Sequence, residues 1–238
     1  MKRPQLLNHP LARIWRYWLG LTAPSVAGAS LFLWLAPAQH NPFRPLDLND
    51  PPGIASHYKL TQMKNHPEAC FAALDATGVL YTPLPDSDTG PACGKRDALT
   101  LDRSLTPYSA TLSMTCTQTA VLYSWERHVA RPAAMELFGS QIVRIDTFGS
   151  FSCRNIAGTA RRSQHASANA IDIAAFRLED GRVINVKTHW YNGGKEGEFL
   201  KRVHKGGCRL FSVTLGPDYN AAHADHFHFD MGPQRACK

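Results

Sequence analysis

Hydrophobic and polar residues alternate along much of the second half of the chain, which is the pattern of half-buried β-strands. Strands are predicted at residues 141–148, 170–176, 182–186, 210–215 and 226–230. The turn Glu179-Asp180-Gly181 is typical of a hairpin between the second and third of these strands. Apolar residues recur at helical spacing at residues 66–78, 116–139 and 196–204. The pattern predicts an α+β fold in which helices pack on an antiparallel sheet.

Two local features qualify this pattern in the first half of the chain. Pro132 is expected to break or kink the long helix at 116–139, because proline lacks a backbone donor and clashes with the preceding turn. Residues 83–94 are predicted to form a loop.

The N-terminal region has the pattern of a membrane anchor. Residues 17–36 contain no charged side chain. This segment has about the 20-residue length that a helix needs to cross a bilayer core. Residues 1–16 carry four basic and no acidic residues, which places this segment in the cytoplasm by the positive-inside rule. We therefore predict a single-pass inner-membrane protein with its C-terminal domain in the periplasm.

Two alternatives to a retained anchor remain for residues 17–36. A cleaved signal peptide fits the small-x-small sequence Ala36-Pro37-Ala38, although the apolar run is longer than a usual signal sequence. A buried core helix is the other alternative, and the flanking arginines disfavour it.

Five prolines between Pro37 and Pro52 follow the apolar segment. Proline fixes its backbone angle, so residues 37–60 are predicted to be an extended, stiff tether that holds the domain off the membrane. The folded domain is predicted to cover residues 61–238.

The net charge is +7, of which +3 lies in the first 50 residues. This mild positive balance suits an anionic partner such as peptidoglycan or another envelope polymer. The chain has no run of lysine and arginine of the kind that binds nucleic acid, so nucleic acid is not an expected partner.

Six cysteines all follow the apolar segment, and none belongs to a C-x-x-C pair. An even number in this arrangement predicts disulfides in an oxidising compartment, consistent with the periplasm. Pairing between sequence neighbours is our prediction, namely Cys70 with Cys93, Cys116 with Cys153, and Cys208 with Cys237.

Two polar clusters, at residues 161–172 and 223–230, contain the residue types of a zinc site. Zn²⁺ binds neutral imidazole nitrogen and carboxylate oxygen, and a catalytic site uses three such ligands while leaving a position for water. His165, Asp172 and His228 would supply those ligands. Two histidines and one carboxylate also suit iron, so the set predicts a metal site and zinc is our choice of ion.

Strand alternation predicts which side chains of the second cluster share a face of the strand. His226 and His228 point to the same face, while Phe227 and Phe229 face the core. Asp225 falls on the phenylalanine face by strict alternation, so it must lie at the strand entrance or on a bulge to reach a metal site.

The two clusters carry motifs that resemble a known family. S-x-H-x6-D beginning at Ser163 and D-x-x-H beginning at Asp225, overlapped by H-x-H at His226, resemble the zinc-ligand signature of the D-alanyl-D-alanine carboxypeptidase and endopeptidase superfamily. The sequences SQHASANAIDI and HADHFHFD more closely resemble the bacterial extensin-like protein C-terminal domain. The resemblance covers roughly residues 70–237.

The resemblance implies roles for individual residues. His165, Asp172 and His228 would be metal ligands and Asp225 the general base. Arg154 would steady the substrate or the developing oxyanion, with a salt bridge as the alternative. The implied activity is hydrolysis of an amide bond in a peptidoglycan stem peptide or cross-link.

The other motif residues each have two interpretations. Ser163 would contact the substrate or orient its loop, or else cap a turn. His226 would assist the transition state or position the substrate, and His223 would do either. Asp225 has the alternative of ordering His226 or His228 through a hydrogen bond.

A noncatalytic envelope module that binds wall polymer through the same cleft is the alternative function. Two departures from the carboxypeptidase pattern favour it: Ala168 stands where glycine is usual, and Asp225 where glutamate is more common. A fourth metal ligand from His226 or His223 would favour it too, because a structural zinc site is closed to water.

Overall fold

A computed structural model describes residue 22, residues 25–90 and residues 92–238. The predicted cytoplasmic segment, residues 1–16, lies outside the described residues, and so does part of the predicted membrane segment 17–36. Residues 25–35 of that segment are helical. Within the described ranges, no helix has the length and hydropathy that a membrane span requires.

Helices and strands follow one another in an order that mixes both classes. The helices are α1 Ser56–Gln62, α2 Pro67–Asp75, α3 Cys116–Trp125, α4 Arg131–Phe138, α5 Val186–His189 and α6 Lys195–Leu210, with a π-helix at Glu126–Ala130. Short 3-10 turns lie at Ala38–His40, Met63–Asn65, Gln164–Ser167 and Ala221–His223. The strands are β1 Leu80–Pro83, β2 Ser87–Gly90, β3 Cys93–Lys95, β4 Ala98–Arg103, β5 Leu112–Thr115, β6 Ile142–Gly149, β7 Ala170–Leu178, β8 Val183–Asn185, β9 Val213–Leu215, β10 Phe227–Asp230 and β11 Ala236–Cys237.

The strands form one large sheet and two small ones. The large sheet has the order β11-β9-β10-β7-β6, with β8 also paired to β7, and β1-β4-β5 and β2-β3 form the small sheets. All these pairs are antiparallel except β11 with β9. The predicted α+β class with an antiparallel sheet is therefore confirmed.

Aromatic residues fill the space between the large sheet and the helices. Phe227 and Phe229 on β10 are buried, as alternation predicted. Trp125 of α3 lies edge-on to Phe229, with ring centroids 5.2 Å apart, and its indole N–H donates to the carbonyl of Val203 on α6. The strand is thus fixed from its phenylalanine face, and its other face carries the polar side chains His228 and Asp230.

Two local predictions need correction. Residues 83–94, predicted as a loop, contain β2 and the start of β3. The long helix at 116–139 is interrupted at the π-helix, and Pro132 lies within the first turn of α4. The interruption exists, but it lies one turn earlier than proline alone predicted.

The Pro-rich segment packs on the domain. Leu48 is only 2% exposed and belongs to the main hydrophobic core. Lys59 of α1 is also buried, and its ammonium donates to the carbonyls of Ala38, at 2.6 Å, and Pro45, at 3.3 Å. Residues 38–60 therefore lie against the domain instead of forming the extended tether that the sequence predicted.

All six cysteines form disulfides, as predicted. The pairs are Cys70–Cys116, Cys93–Cys153 and Cys208–Cys237. Only the third predicted pair is right, while the predicted pairs 70 with 93 and 116 with 153 are wrong. Packing of α2 against α3 joins the first pair, and the β2–β3 hairpin meets the loop after β6 at the second. Tertiary neighbours, not sequence neighbours, decide the pairing.

Candidate metal centre

Three elements bring the predicted metal ligands together. His165 lies in the 3-10 turn Gln164–Ser167, Asp172 on β7 and His228 on β10, and all three are buried. Residues 172 and 228 are directly opposite each other in the β7–β10 ladder. Nε2 of His165 lies 3.1 Å from Asp172 Oδ2 and 3.1 Å from His228 Nδ1, and the latter lies 3.0 Å from Asp172 Oδ1.

In each imidazole, the ring nitrogen that points away from Asp172, which we call the outer nitrogen, already has a hydrogen-bond partner. His165 Nδ1 lies 2.8 Å from the carbonyl oxygen of Ser150, and His228 Nε2 lies 2.9 Å from Asp230 Oδ2. Both partners only accept hydrogen bonds, so each outer nitrogen donates its N–H. In neutral imidazoles the two inner nitrogens then carry lone pairs. Two lone pairs and the Asp172 carboxylate converge on one point, which requires a cation or a shared proton.

The donor set fits a tetrahedral zinc ion. Zinc–nitrogen distances of about 2.0–2.1 Å place tetrahedral ligand atoms roughly 3.3 Å apart. The two imidazole nitrogens lie 3.1 Å apart, and each lies 3.0 to 3.1 Å from its nearer carboxylate oxygen of Asp172, which is a few tenths of an ångström shorter. A small relaxation would admit the ion.

No fourth His, Cys, Asp or Glu joins this group among the residues that the structure describes. A second group, His204 with Cys208 and Cys237, has comparable spacing. Its two sulfurs are bonded to each other, so they are not thiolate ligands. The first group therefore has three protein donors, the number typical of catalytic zinc sites, which keep a position for water.

The carboxylates and imidazoles of the centre shift one another's pKa values toward their charged forms. Burial alone would raise the pKa of Asp172, but hydrogen bonds and charge from His165 and His228 hold it well below its usual range. Burial lowers the pKa of His228, but the carboxylates of Asp172 and Asp230 outweigh it and raise the pKa to about 9. A proton held at His228 is what a metal ion would displace on binding.

Asp230 supports His228 from behind. Its Oδ2 faces His228 Nε2, while its Oδ1 accepts from the backbone N–H of Gly232 at 2.8 Å. This is the carboxylate–histidine arrangement that orients ligands in metal sites. Strand alternation places Asp230 on the same face as His228, so the sequence offered a signal for this contact.

Asp225 and His226 form a pair beside the ligands. Asp225 lies before the first residue of β10, at the strand entrance that alternation required. Its Oδ1 lies 2.8 Å from His226 Nδ1. The other ring nitrogen of His226, Nε2, lies 3.6 Å from Asp172 Oδ1. This geometry agrees with the second interpretation of Asp225, in which it orders His226.

Arg154 and Ser163 flank the other side. One guanidinium nitrogen of Arg154 lies 3.6 Å from Asp172 Oδ2, and the side chain is about half exposed. The adjacent disulfide, Cys93–Cys153, anchors this loop. Ser163 is buried and its hydroxyl accepts from the backbone N–H of His165, so it caps the 3-10 turn as its structural interpretation predicted.

His223 completes a row of rings at the rim. Its centroid lies 5.2 Å from that of His226 and 5.3 Å from that of Tyr219. Burial, followed by the neighbouring charges of His226 and His228, lowers the pKa of His223 to about 4. Phe148, at 5.5 Å from His226, extends the row and is exposed. Neither Phe148 nor Tyr219 was predicted, because an isolated aromatic residue is more often part of a core.

Ala168 has a backbone conformation that is more usual for glycine. Its φ is 55°, in the left-handed region that favours glycine, and the residue is buried. A residue with a Cβ costs about 1–2 kcal/mol there. The ligands on either side, His165 and Asp172, converge nonetheless, so this departure leaves the donor set intact.

Comparison with protein families identifies a match over most of the chain. The family described as Extensin-like protein C-terminus matches residues 68–238. No curated protein and no solved structure matches the chain. The matched range includes the three donors, the residues around them and all three disulfides. Because this range is well over half of the sequence, the chain belongs to the extensin-like protein C-terminus family.

Proposed function

We propose that this domain is a periplasmic, zinc-dependent hydrolase of amide bonds in the stem peptide or cross-link of peptidoglycan. The observation that carries the proposal is the convergence of three metal-type donors, without a fourth among the described residues, beside a histidine and an arginine. A closed structural site would use four protein ligands. The motif resemblance supplies the substrate class.

His165, Asp172 and His228 would hold the ion. Zinc in such a set acts as a Lewis acid that polarises a carbonyl and lowers the pKa of water toward about 7. The hydrogen bonds to Ser150 and Asp230 keep the two imidazoles in the tautomers that this binding needs.

Proton transfer belongs to the Asp225–His226 pair. His226 Nε2 faces the centre, while its Nδ1 is held by the Asp225 carboxylate. Such a pair takes the proton of the attacking water as a general base and returns it to the leaving amine. Asp225 fixes the ring and stabilises the imidazolium that forms in between.

Arg154 would contact the substrate. Its guanidinium lies beside Asp172 and remains half exposed, so it is available to a carbonyl oxygen or a stem-peptide carboxylate at the centre. Removal of a donor to a developing oxyanion typically slows catalysis by about 10²- to 10³-fold. His223 and Phe148 at the rim would position the substrate.

Metal content tests the site first. We expect the purified wild-type chain to hold about one zinc ion, and His165→Ala and His228→Ala to lose it, since a catalytic site has only three protein ligands. His189→Ala is the matched control, because His189 ends α5 outside the centre. A folded wild-type protein that takes up no zinc would overturn the proposal.

Digestion of purified peptidoglycan tests the activity. We expect Arg154→Ala to keep zinc and lose about 10²- to 10³-fold in rate. Arg161→Ala, a substitution in the same loop, should retain turnover. A protein that binds zinc, leaves peptidoglycan undigested and cosediments with it would instead be the noncatalytic wall-binding module. An Arg154→Ala protein of full activity would remove the role of that residue.

A further inference from the structure

The helical residues 25–35 present apolar surface on nearly all sides. None of them is charged, and every one except Leu33 is exposed. Trp34, for example, is 72% exposed. A packed partner helix would cover one stripe, whereas a helix that is apolar all round needs an apolar surrounding on every side. The exposure therefore fits lipid better than a second protein chain.

The end of this helix is fastened to the domain. Arg44 donates to the carbonyl of Trp34 at 2.9 Å, and the amide of Asn41 donates to the carbonyl of Leu33. These carbonyls belong to the last turn of a helix, where no intrahelical donor is available. Ala36, directly after the helix, is buried. The helix is thus joined to the folded domain without a flexible spacer.

Large apolar side chains surround this junction. Phe43 is 80% exposed, and its backbone N–H donates to the same Asn41 that holds the helix. Ile54 is 83% exposed, and its N–H donates to Nδ1 of His40. Tyr58 is exposed as well and lines a groove with Arg44. We call Trp34, Leu35, Phe43, Ile54 and Tyr58 the base of the domain.

We propose that the base lies directly on a lipid bilayer, with Phe43 and Ile54 in the boundary between headgroups and acyl chains. Tryptophan and tyrosine are enriched at this depth, and Arg44 lies where it can reach lipid phosphates. The domain then sits flush on the membrane in a fixed orientation, not at the end of a tether. This inference is independent of the metal centre.

Spin labels in the full-length chain test the seating. All native cysteines are in disulfides, so a cysteine introduced by Phe43→Cys or Ile54→Cys is the single free thiol. Tyr191→Cys is the matched control, because Tyr191 is 73% exposed and follows α5, outside the segment 34–58 that contains the base of the domain. Each labelled protein is reconstituted in vesicles of phosphatidylethanolamine and phosphatidylglycerol. Collision with oxygen reports lipid, and collision with a water-soluble nickel chelate reports water.

We expect labels at 43 and 54 to collide severalfold more with oxygen than with the chelate, and the label at 191 to show the reverse. Labels at 43 and 54 that are as open to the chelate as the label at 191 would overturn the seating. Protection of both from oxygen and chelate alike would also overturn it, because that pattern means contact with protein. A chain that does not associate with the vesicles would do the same.

Discussion

Asp172 and Glu126 are both buried carboxylates, but their surroundings differ. Asp172 lies among the imidazoles of His165 and His228, with Arg154 at 3.6 Å. Glu126, in the π-helix, is bonded instead by neutral donors. The hydroxyl of Tyr108 lies 2.6 Å from Oε1, and the backbone N–H of Thr106 lies 3.1 Å from Oε2.

The pKa values of these two groups move in opposite directions. Burial dominates at Glu126 and raises its pKa to about 7, because the hydrogen bonds from Tyr108, Ser104 and Thr106 and the charge of Arg131 offset burial only in part. At Asp172 the two histidines outweigh burial and keep the carboxylate ionised. Depth alone therefore does not identify a cation site. A buried carboxylate is suited to a metal when basic nitrogens converge on it, and to a structural role when neutral donors do.

The largest expected effect comes from neutralising the first carboxylate. Asp172→Asn removes the charge that two imidazoles cannot replace, so we expect zinc to fall from about one per chain to a background level. Glu126→Gln is the matched isosteric change of a buried acid, and it should leave the zinc content unchanged. The measurement is metal content after dialysis. Equal zinc in Asp172→Asn and the wild type would remove Asp172 from the ligand set.

The second effect is a pH dependence of stability near neutral pH, which Glu126 should confer and Asp172 should not. Its pKa is raised from 4.5 to about 7 in the folded protein. The folded state therefore keeps a proton that the unfolded state releases between these values, and the free energy of unfolding falls as pH rises through this window. Below pH 4.5 the contribution is fully present, and above pH 7 it is lost. At 1.36 kcal/mol per unit the change is about 3 kcal/mol.

Comparison with Glu126→Gln isolates this effect from the other titrating groups. Denaturant unfolding at pH 5 and pH 8 should show the wild type losing about 2.5 kcal/mol more than the variant, because part of the change already lies below pH 5. Parallel losses in the two proteins would show that Glu126 is ionised throughout, as Asp172 is. The two carboxylates would then differ in partners but not in charge.

The convergence of His165 and His228 on Asp172 could be predicted from the sequence, because its signals are local. Strand alternation placed His226 and His228 on one face, and β7 and β10 have nearly the predicted limits. The motif then indicated His165, Asp172 and His228, the three residues that converge in the structure. What alternation could not supply was the direction of each ring. The link from His228 to Asp230 therefore appears only in the structure, and the bond from Asp225 to His226 is one of the alternatives that the sequence had left open.

The Glu126 side could not be predicted, because its partners come from a distant loop. A glutamate within a helical stretch most often faces solvent, and nothing near it in sequence indicates Tyr108 as a donor. The same limit explains the wrong disulfide pairs, which depend on how α2 meets α3 and how the hairpin reaches Cys153. Prolines likewise suggested a tether at residues 37–60, although Leu48 anchors that segment in the core.

The smallest expected effect comes from the hydrogen bond between Asp230 and His228. It tests how much this bond contributes to metal binding compared with His228 itself. Asp230→Asn keeps an oxygen for the Gly232 N–H but turns an amide N–H₂ toward His228. Two donors then face each other, which favours the tautomer with its proton on Nδ1, the nitrogen that we propose binds the metal. We expect zinc affinity to fall by about 10- to 100-fold, the usual cost of losing such a partner. Competition with a zinc chelator measures it. His228→Ala sets the limit of complete loss, and an affinity equal to that of the wild type would show that Asp230 does not set the tautomer.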